Sequence, residues 1–140
     1  MKSRRDDSGT WIVHLERGES VRRSLEGFAA EHGIEGGRVT AIGALENAEL
    51  ACYDLPTQTY DTRVFAGIYE LLSGDGNITR KDGRPFLHMH VTISGHDYVA
   101  YGGHLMDASV GVVMEIFVDP LAAPIERGHC EAVGLAVWQP

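Results

Sequence analysis

Apolar and polar residues alternate along most of this chain, and glycines interrupt the alternation at short intervals. A period of two is typical of β-strands that bury one face. Strands joined by short glycine-containing turns favour antiparallel pairing. The candidate strands are residues 10–16, 37–44, 48–53, 63–73, 77–80, 86–94, 98–106, 109–118 and 131–138.

Residues 20–32 depart from this alternation and predict the one main helix. Ser20 is a favourable N-cap residue, and Gly33 is well placed to end the helix. Between them, four apolar residues recur on one side of the helix: Val21, Leu25, Phe28 and Ala29. Residues 120–128 are ambiguous between a short helix and a loop.

One helix beside a run of antiparallel strands predicts an α+β fold, in which a largely antiparallel central sheet carries the helix packed on it. The 140 residues suit one domain with a sizeable core. We expect the polar and charged residues 1–9 to form a flexible arm, and residues 10–140 to form the single domain.

The charge balance disfavours nucleic acid as a general partner. Lys and Arg number 12 against 20 Asp and Glu, which gives a net charge of −8. DNA and RNA are bound by surfaces that neutralise phosphates with Lys and Arg. A local basic patch stays possible in the arm, where Lys2, Arg4 and Arg5 occur together.

The chain has the features of a cytoplasmic protein. Its first residues lack the apolar segment of a secretory signal, and no apolar run approaches the roughly 20 residues that cross a bilayer. Cys52 and Cys130 stand far apart with no C-x-x-C spacing, which is typical of reduced thiols.

A group of histidines is the strongest chemical signal. In residues 87–94, LHMHVTIS, strand alternation places His88 and His90 on the polar face. His104 follows the pair Gly102-Gly103, and a hairpin centred near His96 would bring it opposite His88. Three imidazoles suit Zn²⁺ and leave a fourth position for water or substrate. The alternative is two solvated histidines and a third that caps a turn.

Glu115 is a second candidate, because it lies within the nearly continuous apolar run VGVVMEIFV. Such a run predicts a strand buried on both faces, where a carboxylate needs a partner or a raised pKa. Glu115 could orient a ligand histidine or act as a general base. The pattern also allows a salt bridge to an arginine at an edge or a subunit interface, and we favour this interpretation. Glu70, in GIYELLS, raises the same question.

Several segments in the same order resemble the PPC (PCC) domain family of plants and prokaryotes. They are ERGESVRRSLEGFAAEHGI, AIGALENAEL, GIYELLSGDGNI, LHMHVTISG and GGHLMDASVGVVMEI. The resemblance implies a compact fold around an antiparallel sheet and a homotrimer. His88, His90 and His104 match the H-x-H and G-G-H pattern of the prokaryotic stand-alone members, which implies a metal site, with zinc expected.

These observations predict a trimeric protein that binds a divalent metal, and a small ligand in a cleft near a subunit interface. If it is an enzyme, metal-assisted hydrolysis or lyase chemistry is the class expected. The alternatives are a DNA-associated regulatory or protein-interaction module, since plant members of the family carry AT-hook segments, and a plain oligomeric scaffold. This chain has no such hook.

Overall fold

The computed structural model describes residues 1–139, and it is mostly sheet with one short helix. The elements are β1 (Lys2–Arg5), β2 (Trp11–Glu16), α1 (Val21–Glu31), β3 (Gly37–Asp54), β4 (Thr59–Lys81), β5 (Arg84–Ser94), β6 (Ala100–Pro120), β7 (Glu126–Cys130) and β8 (Leu135–Gln139). Among the described strands, only β4 and β7 pair in parallel. The predicted α+β class is therefore confirmed at this level, with a small helix and a mixed sheet dominated by antiparallel pairs.

Four long strands pair in a closed circuit. β3 pairs with β4 and β6, and β5 pairs with the same two strands from the other side. β1 and β2 extend this circuit beyond β6, while β7 and β8 extend it beyond β4. Because its neighbours fix each strand from two sides, the register of the residues in the circuit is closely determined.

β3, β4 and β6 each join two segments that the alternation pattern separates. The β3–β4 register shifts between Ala41 and Gly43 and again between Glu46 and Ala48. A bulge of this kind inserts an extra residue and reverses which face each following side chain occupies. The pattern of the sequence therefore breaks within β3 although the strand continues.

Helix α1 forms as predicted and is tied to the sheet by one arginine. The Ser20 side chain accepts a hydrogen bond from the backbone N–H of Arg23, and the four apolar residues of the predicted stripe are buried. Arg22 donates to the carbonyl oxygens of Leu87, Leu105 and Met106 at 2.9 to 3.0 Å. These bonds fix the helix over the parts of β5 and β6 that carry the histidines.

The expected flexible arm is instead a strand in the structure. Lys2–Arg5 pair antiparallel with β2, so backbone hydrogen bonds hold a segment whose polarity predicted no structure. Lys2 also forms an ion pair with Glu16 at 2.7 Å, and the amino group of Met1 lies 2.8 Å from Glu19. An edge strand needs little apolar surface, so the polar sequence of this segment did not indicate that it forms a strand.

The C-terminal region also differs from the prediction. The last three of the ambiguous residues 120–128 form the first part of β7. The strand predicted over residues 131–138 begins only at Leu135. Residues 131–134 form the turn between β7 and β8. The resulting hairpin attaches to the end of β4, where Arg80 pairs with Glu126.

The core lies between α1 and the inner faces of the closed circuit. Its largest fully buried side chains include Phe28, Leu45, Met89, Leu105, Met114 and Ile116. The single helix found in the described chain, eleven residues long, is too short to cross a bilayer.

Candidate metal centre

The three predicted histidines come together on one face of the sheet. His90 on β5 pairs directly with His104 on β6, and His104 also pairs with Ala51 on β3. The pairing of His88 with His104 that the sequence predicted is wrong by two residues, because His104 pairs with His90 in a hairpin that is centred on Asp97 rather than on His96. A shift of two residues in the pairing keeps every side chain on its face, so the convergence is unaffected.

The distances suit a three-histidine metal site. The ring centroids of His88, His90 and His104 lie 5.0 to 5.6 Å apart, and one ring nitrogen from each lies within 4.8 Å of the other two. A tetrahedral zinc ion with bonds of 2.0–2.1 Å places its nitrogens about 3.3 Å apart. Side-chain rotations that close this small difference would assemble three ligands and leave a fourth position open.

Two glycines let the strands approach each other beside His104. A Cβ on Gly103 would lie 2.9 Å from the carbonyl oxygen of Ala51, and one on Gly102 would lie 3.0 Å from that of Val91. Real Cβ atoms almost never approach as closely as 2.9 Å, and 3.0 Å is tighter than most real contacts. The backbones of β3 and β5 occupy the space into which side chains at these two positions would extend.

The histidines line a cavity of about 730 Å³, which we call the histidine cleft. Tyr60 stacks on His104 with a centroid distance of 5.3 Å. Phe86 forms part of another wall, and Leu135 and Val137 of the C-terminal hairpin contribute apolar surface. A cavity of this volume is in the range of small-molecule sites.

Arg127 is the residue of the cleft that sequence reasoning missed. Its Nε donates to Thr79 Oγ1 at 2.9 Å, and its Nη1 donates to the carbonyl of Ala136 at 2.9 Å. Its Nη2 lies 3.0 Å from Asn77 Oδ1 and 3.1 Å from His88 Nδ1. Arg127 lies on β7, where the sequence gave no strand signal, so nothing placed it near the histidines.

The environment keeps His88 and His104 neutral at physiological pH. Burial, assisted by the positive charge of Arg127, lowers the pKa of His88 to about 4. Burial also lowers the pKa of His104 to about 4, and the neighbouring His90 and two arginines act in the same direction. A neutral imidazole offers a lone pair, which is the form that a metal requires.

The two candidate carboxylates do not join the histidines. Glu115 is exposed rather than buried, because buried Met114 and Ile116 alternate with exposed neighbours on this strand. It lines a second cavity of about 520 Å³ that contains none of the three histidines. Glu70 is exposed on β4 and pairs in register with Ser94. Within residues 1–139, neither carboxylate lies within ion-pair distance of a basic group, so the salt bridge that we favoured for Glu115 is absent there.

The closed, mainly antiparallel circuit with one helix and a histidine cleft defines a small α+β domain with a candidate metal centre. The chain belongs to the Plants and Prokaryotes Conserved (PCC) domain family, whose sequence profile matches residues 3–122. The resemblance seen in the sequence is thereby confirmed.

Solved structures of prokaryotic proteins are similar over nearly the whole chain. A metal-containing protein from Archaeoglobus fulgidus is 34% identical, with a TM-score of 0.90 and full coverage of both chains. A PPC protein from Pyrococcus horikoshii is 31% identical, with a TM-score of 0.88 over 99% of this chain and 94% of that one. A candidate DNA-binding protein from Bacteroides thetaiotaomicron is 27% identical, with a TM-score of 0.93 over 99% and 96%. No curated protein matches this chain in sequence.

Proposed function

We propose that this protein binds a divalent metal, zinc in the first instance, through His88, His90 and His104. The observation that carries the proposal is the convergence of three ring nitrogens within 4.8 Å in an open cleft. Three imidazoles are a common ligand set for zinc sites that keep an open position. The metal-containing relative from Archaeoglobus fulgidus, at 34% identity, adds support.

A bound metal would supply a Lewis acid at the floor of the histidine cleft. The chain's own contribution is to hold three imidazoles by strand register and to shape the cavity with Tyr60 and Phe86. If the protein is an enzyme, metal-assisted hydrolysis or lyase chemistry is the class to test first. A cytoplasmic location is part of the proposal and rests on the unpaired thiols of Cys52 and Cys130.

The test is metal analysis of protein prepared without a histidine tag. We expect about one zinc per chain in the wild type and in His96→Ala, whose histidine is exposed in the β5–β6 turn. His104→Ala should lose the metal and weaken zinc binding by more than about 100-fold. Loss of a residue that only hydrogen-bonds to a ligand already lowers metal affinity 10–100-fold, and loss of a ligand should lower it further. Equal zinc content in His104→Ala and His96→Ala would refute the proposal.

The proposal includes assembly as a homotrimer, as the family resemblance implies. An exposed apolar patch supports self-association: Ile42, Leu72 and Phe117 are 52 to 55% exposed and line the second cavity. Contiguous apolar surface of this kind is typical of protein interfaces. Light scattering on the purified protein would give the mass of the assembly directly.

DNA association is the second candidate, and the relative from Bacteroides thetaiotaomicron is the observation that favours it. The basic residues of β1 are partly engaged, because Lys2 pairs with Glu16 and Arg5 lies over the ring of Trp11. Binding of duplex DNA that falls steeply with salt and is lost in Arg4→Gln would support this function. No binding at low salt would remove it.

A further inference from the structure

The histidine cleft is positively charged although the protein carries a net charge of −8. Arg22, Lys81 and Arg127 line the cleft, and no Asp or Glu is among the described residues that line it. Asp75, which pairs with His90 in register, lines the second cavity instead. The cleft therefore concentrates positive charge against the overall balance of the chain.

Two of these three charges have no acidic partner. Arg22 forms an ion pair with Glu26 at 3.3 Å. Within residues 1–139, no carboxylate lies within ion-pair distance of Lys81 or Arg127. Arg127 is half-buried, and a charge in such a position favours an oppositely charged partner, which the described chain does not supply.

The three cationic side chains all lie close to the ring of Phe86. The guanidinium carbons of Arg127 and Arg22 lie 5.3 and 5.5 Å from its centroid, and Lys81 Nζ lies 5.3 Å from it. Cation–π contacts at this distance are attractive and hold the side chains in place. The repulsion among three like charges remains, and an anion in the cleft would relieve it.

The hydrogen bond between Arg127 and His88 cannot persist when His88 coordinates a metal. Arginine only donates, so His88 Nδ1 accepts and the proton of the neutral ring is on Nε2. A metal at Nδ1 would take the same lone pair. A metal at Nε2 would move the proton to Nδ1, where it would face the N–H of Arg127. Metal binding at either nitrogen therefore frees the Nη2–H of Arg127 that faces His88, while Thr79, Ala136 and Asn77 still hold the guanidinium.

We propose that the histidine cleft binds a small organic anion, whose carboxylate or phosphate group is held by Arg127 and Lys81 beside the metal. The apolar part of the ligand would lie against Tyr60, Leu135 and Val137, which line the same cavity. This inference rests on the proposed metal function, because the metal releases Arg127 for the anion. Metal and anion therefore bind with positive cooperativity, each strengthening the other by the same factor.

The test is calorimetric titration of zinc-loaded protein with benzoate, with its neutral analogue benzamide and with inorganic phosphate. We expect benzoate or phosphate to bind at least about tenfold more tightly than benzamide, because hydrogen bonds to charged groups contribute more than neutral ones. Benzoate stronger than phosphate would identify the carboxylate as the preferred group, and the reverse would identify the phosphate. Benzamide binding as tightly as both anions would overturn the proposal.

Variants locate the anion site. Arg127→Gln should weaken anion binding about tenfold or more. Lys81→Gln should weaken it about threefold, because this lysine is exposed. Lys2→Gln removes the same charge on β1, away from the cleft, and should change nothing. Equal affinities in all three variants and the wild type would contradict the assignment.

Two controls distinguish anion binding from a structural role of Arg127 and from the metal proposal. Arg127 also anchors the C-terminal hairpin, so Arg127→Lys, which keeps the charge, should retain anion binding better than Arg127→Gln if charge is the cause. Titration of protein stripped with EDTA tests the anion site without the metal. Weaker but measurable benzoate binding is expected there, and equal binding with and without zinc would refute the cooperativity. Failure of the metal proposal would instead appear as absence of zinc from the wild type.

Discussion

The two ends of β6 present side chains with opposite outcomes. Near its start, His104 pairs with His90 and joins the histidine cleft. Near its end, Glu115 pairs with His14 of β2 and lies beside the apolar patch. Eleven residues separate them, which is about 35 Å along an extended strand. Because of their residue types, His104 and Glu115 were both candidates for a metal site. Strand register places only His104 in the histidine cleft.

The comparison also shows what each end of β6 can do. At the start of β6, neutral imidazoles and uncompensated cations suit a metal and an anion. At the end, exposed Phe117 and its apolar neighbours suit a protein surface. We therefore expect substitutions at one end to leave the properties of the other unchanged.

The largest expected effect contrasts His90 with Glu115. His90→Ala should weaken zinc binding by more than about 100-fold, by the same reasoning as for His104. Glu115→Gln and Glu70→Gln should leave zinc affinity within about twofold, since neither carboxylate lines the histidine cleft. Competition titration with a zinc chelator measures all three. A large loss in Glu115→Gln would show that the two ends of β6 are coupled.

The next effect concerns assembly. Phe117→Glu places a charge in the apolar patch and should dissociate the proposed trimer to monomers at micromolar concentration, because an unpaired buried charge costs several kcal/mol. Leu55→Glu adds the same charge in the exposed turn between β3 and β4 and should leave the mass unchanged. Light scattering measures the masses. An intact trimer in Phe117→Glu would remove the patch from the interface.

A smaller effect is expected from glycines that touch the cleft. Gly103→Ala should lower the free energy of unfolding by about 1–3 kcal/mol, since the added methyl group would press on the carbonyl of Ala51. Gly27→Ala, in helix α1 with open space around it, should raise it by up to about 1 kcal/mol. Urea denaturation measures both changes. A Gly103→Ala protein as stable as Gly27→Ala would contradict the close packing of β3 on β6.

The last effect is a pH dependence of the metal-free protein. His88 and His104 have a pKa of about 4 in the fold against 6.5 for an unperturbed histidine. Between these values the unfolded chain binds more protons, so the free energy of unfolding should fall as pH drops from 6.5 towards 4 and should not depend on these groups above 6.5. Urea denaturation at pH 7 and pH 5 measures the change. His88→Gln should reduce it, and an unchanged slope in that variant would assign the effect to other groups.

The sequence predicted local structure well wherever the periodicity of apolar residues alone determines it. Helix α1 and the polar face with its histidines followed from simple periodicities, because each depends on nearby residues. The continuity of β3 was missed since its bulges imitate strand ends. Glu115 was taken as buried because an apolar run does not distinguish a core from an exposed patch. Arg127 was missed because only tertiary pairing brings β7 to the end of β4.

The position of the C-terminal hairpin has a consequence for how such proteins can diverge. The three histidines lie within residues 3–122, where the family profile matches, whereas Arg127, Leu135 and Val137 lie beyond it. One wall of the cleft is thus formed by a different part of the sequence from the part that carries the histidines at its floor. A change of hairpin alone could give a descendant of this chain a new ligand preference while its proposed metal ligands stay untouched.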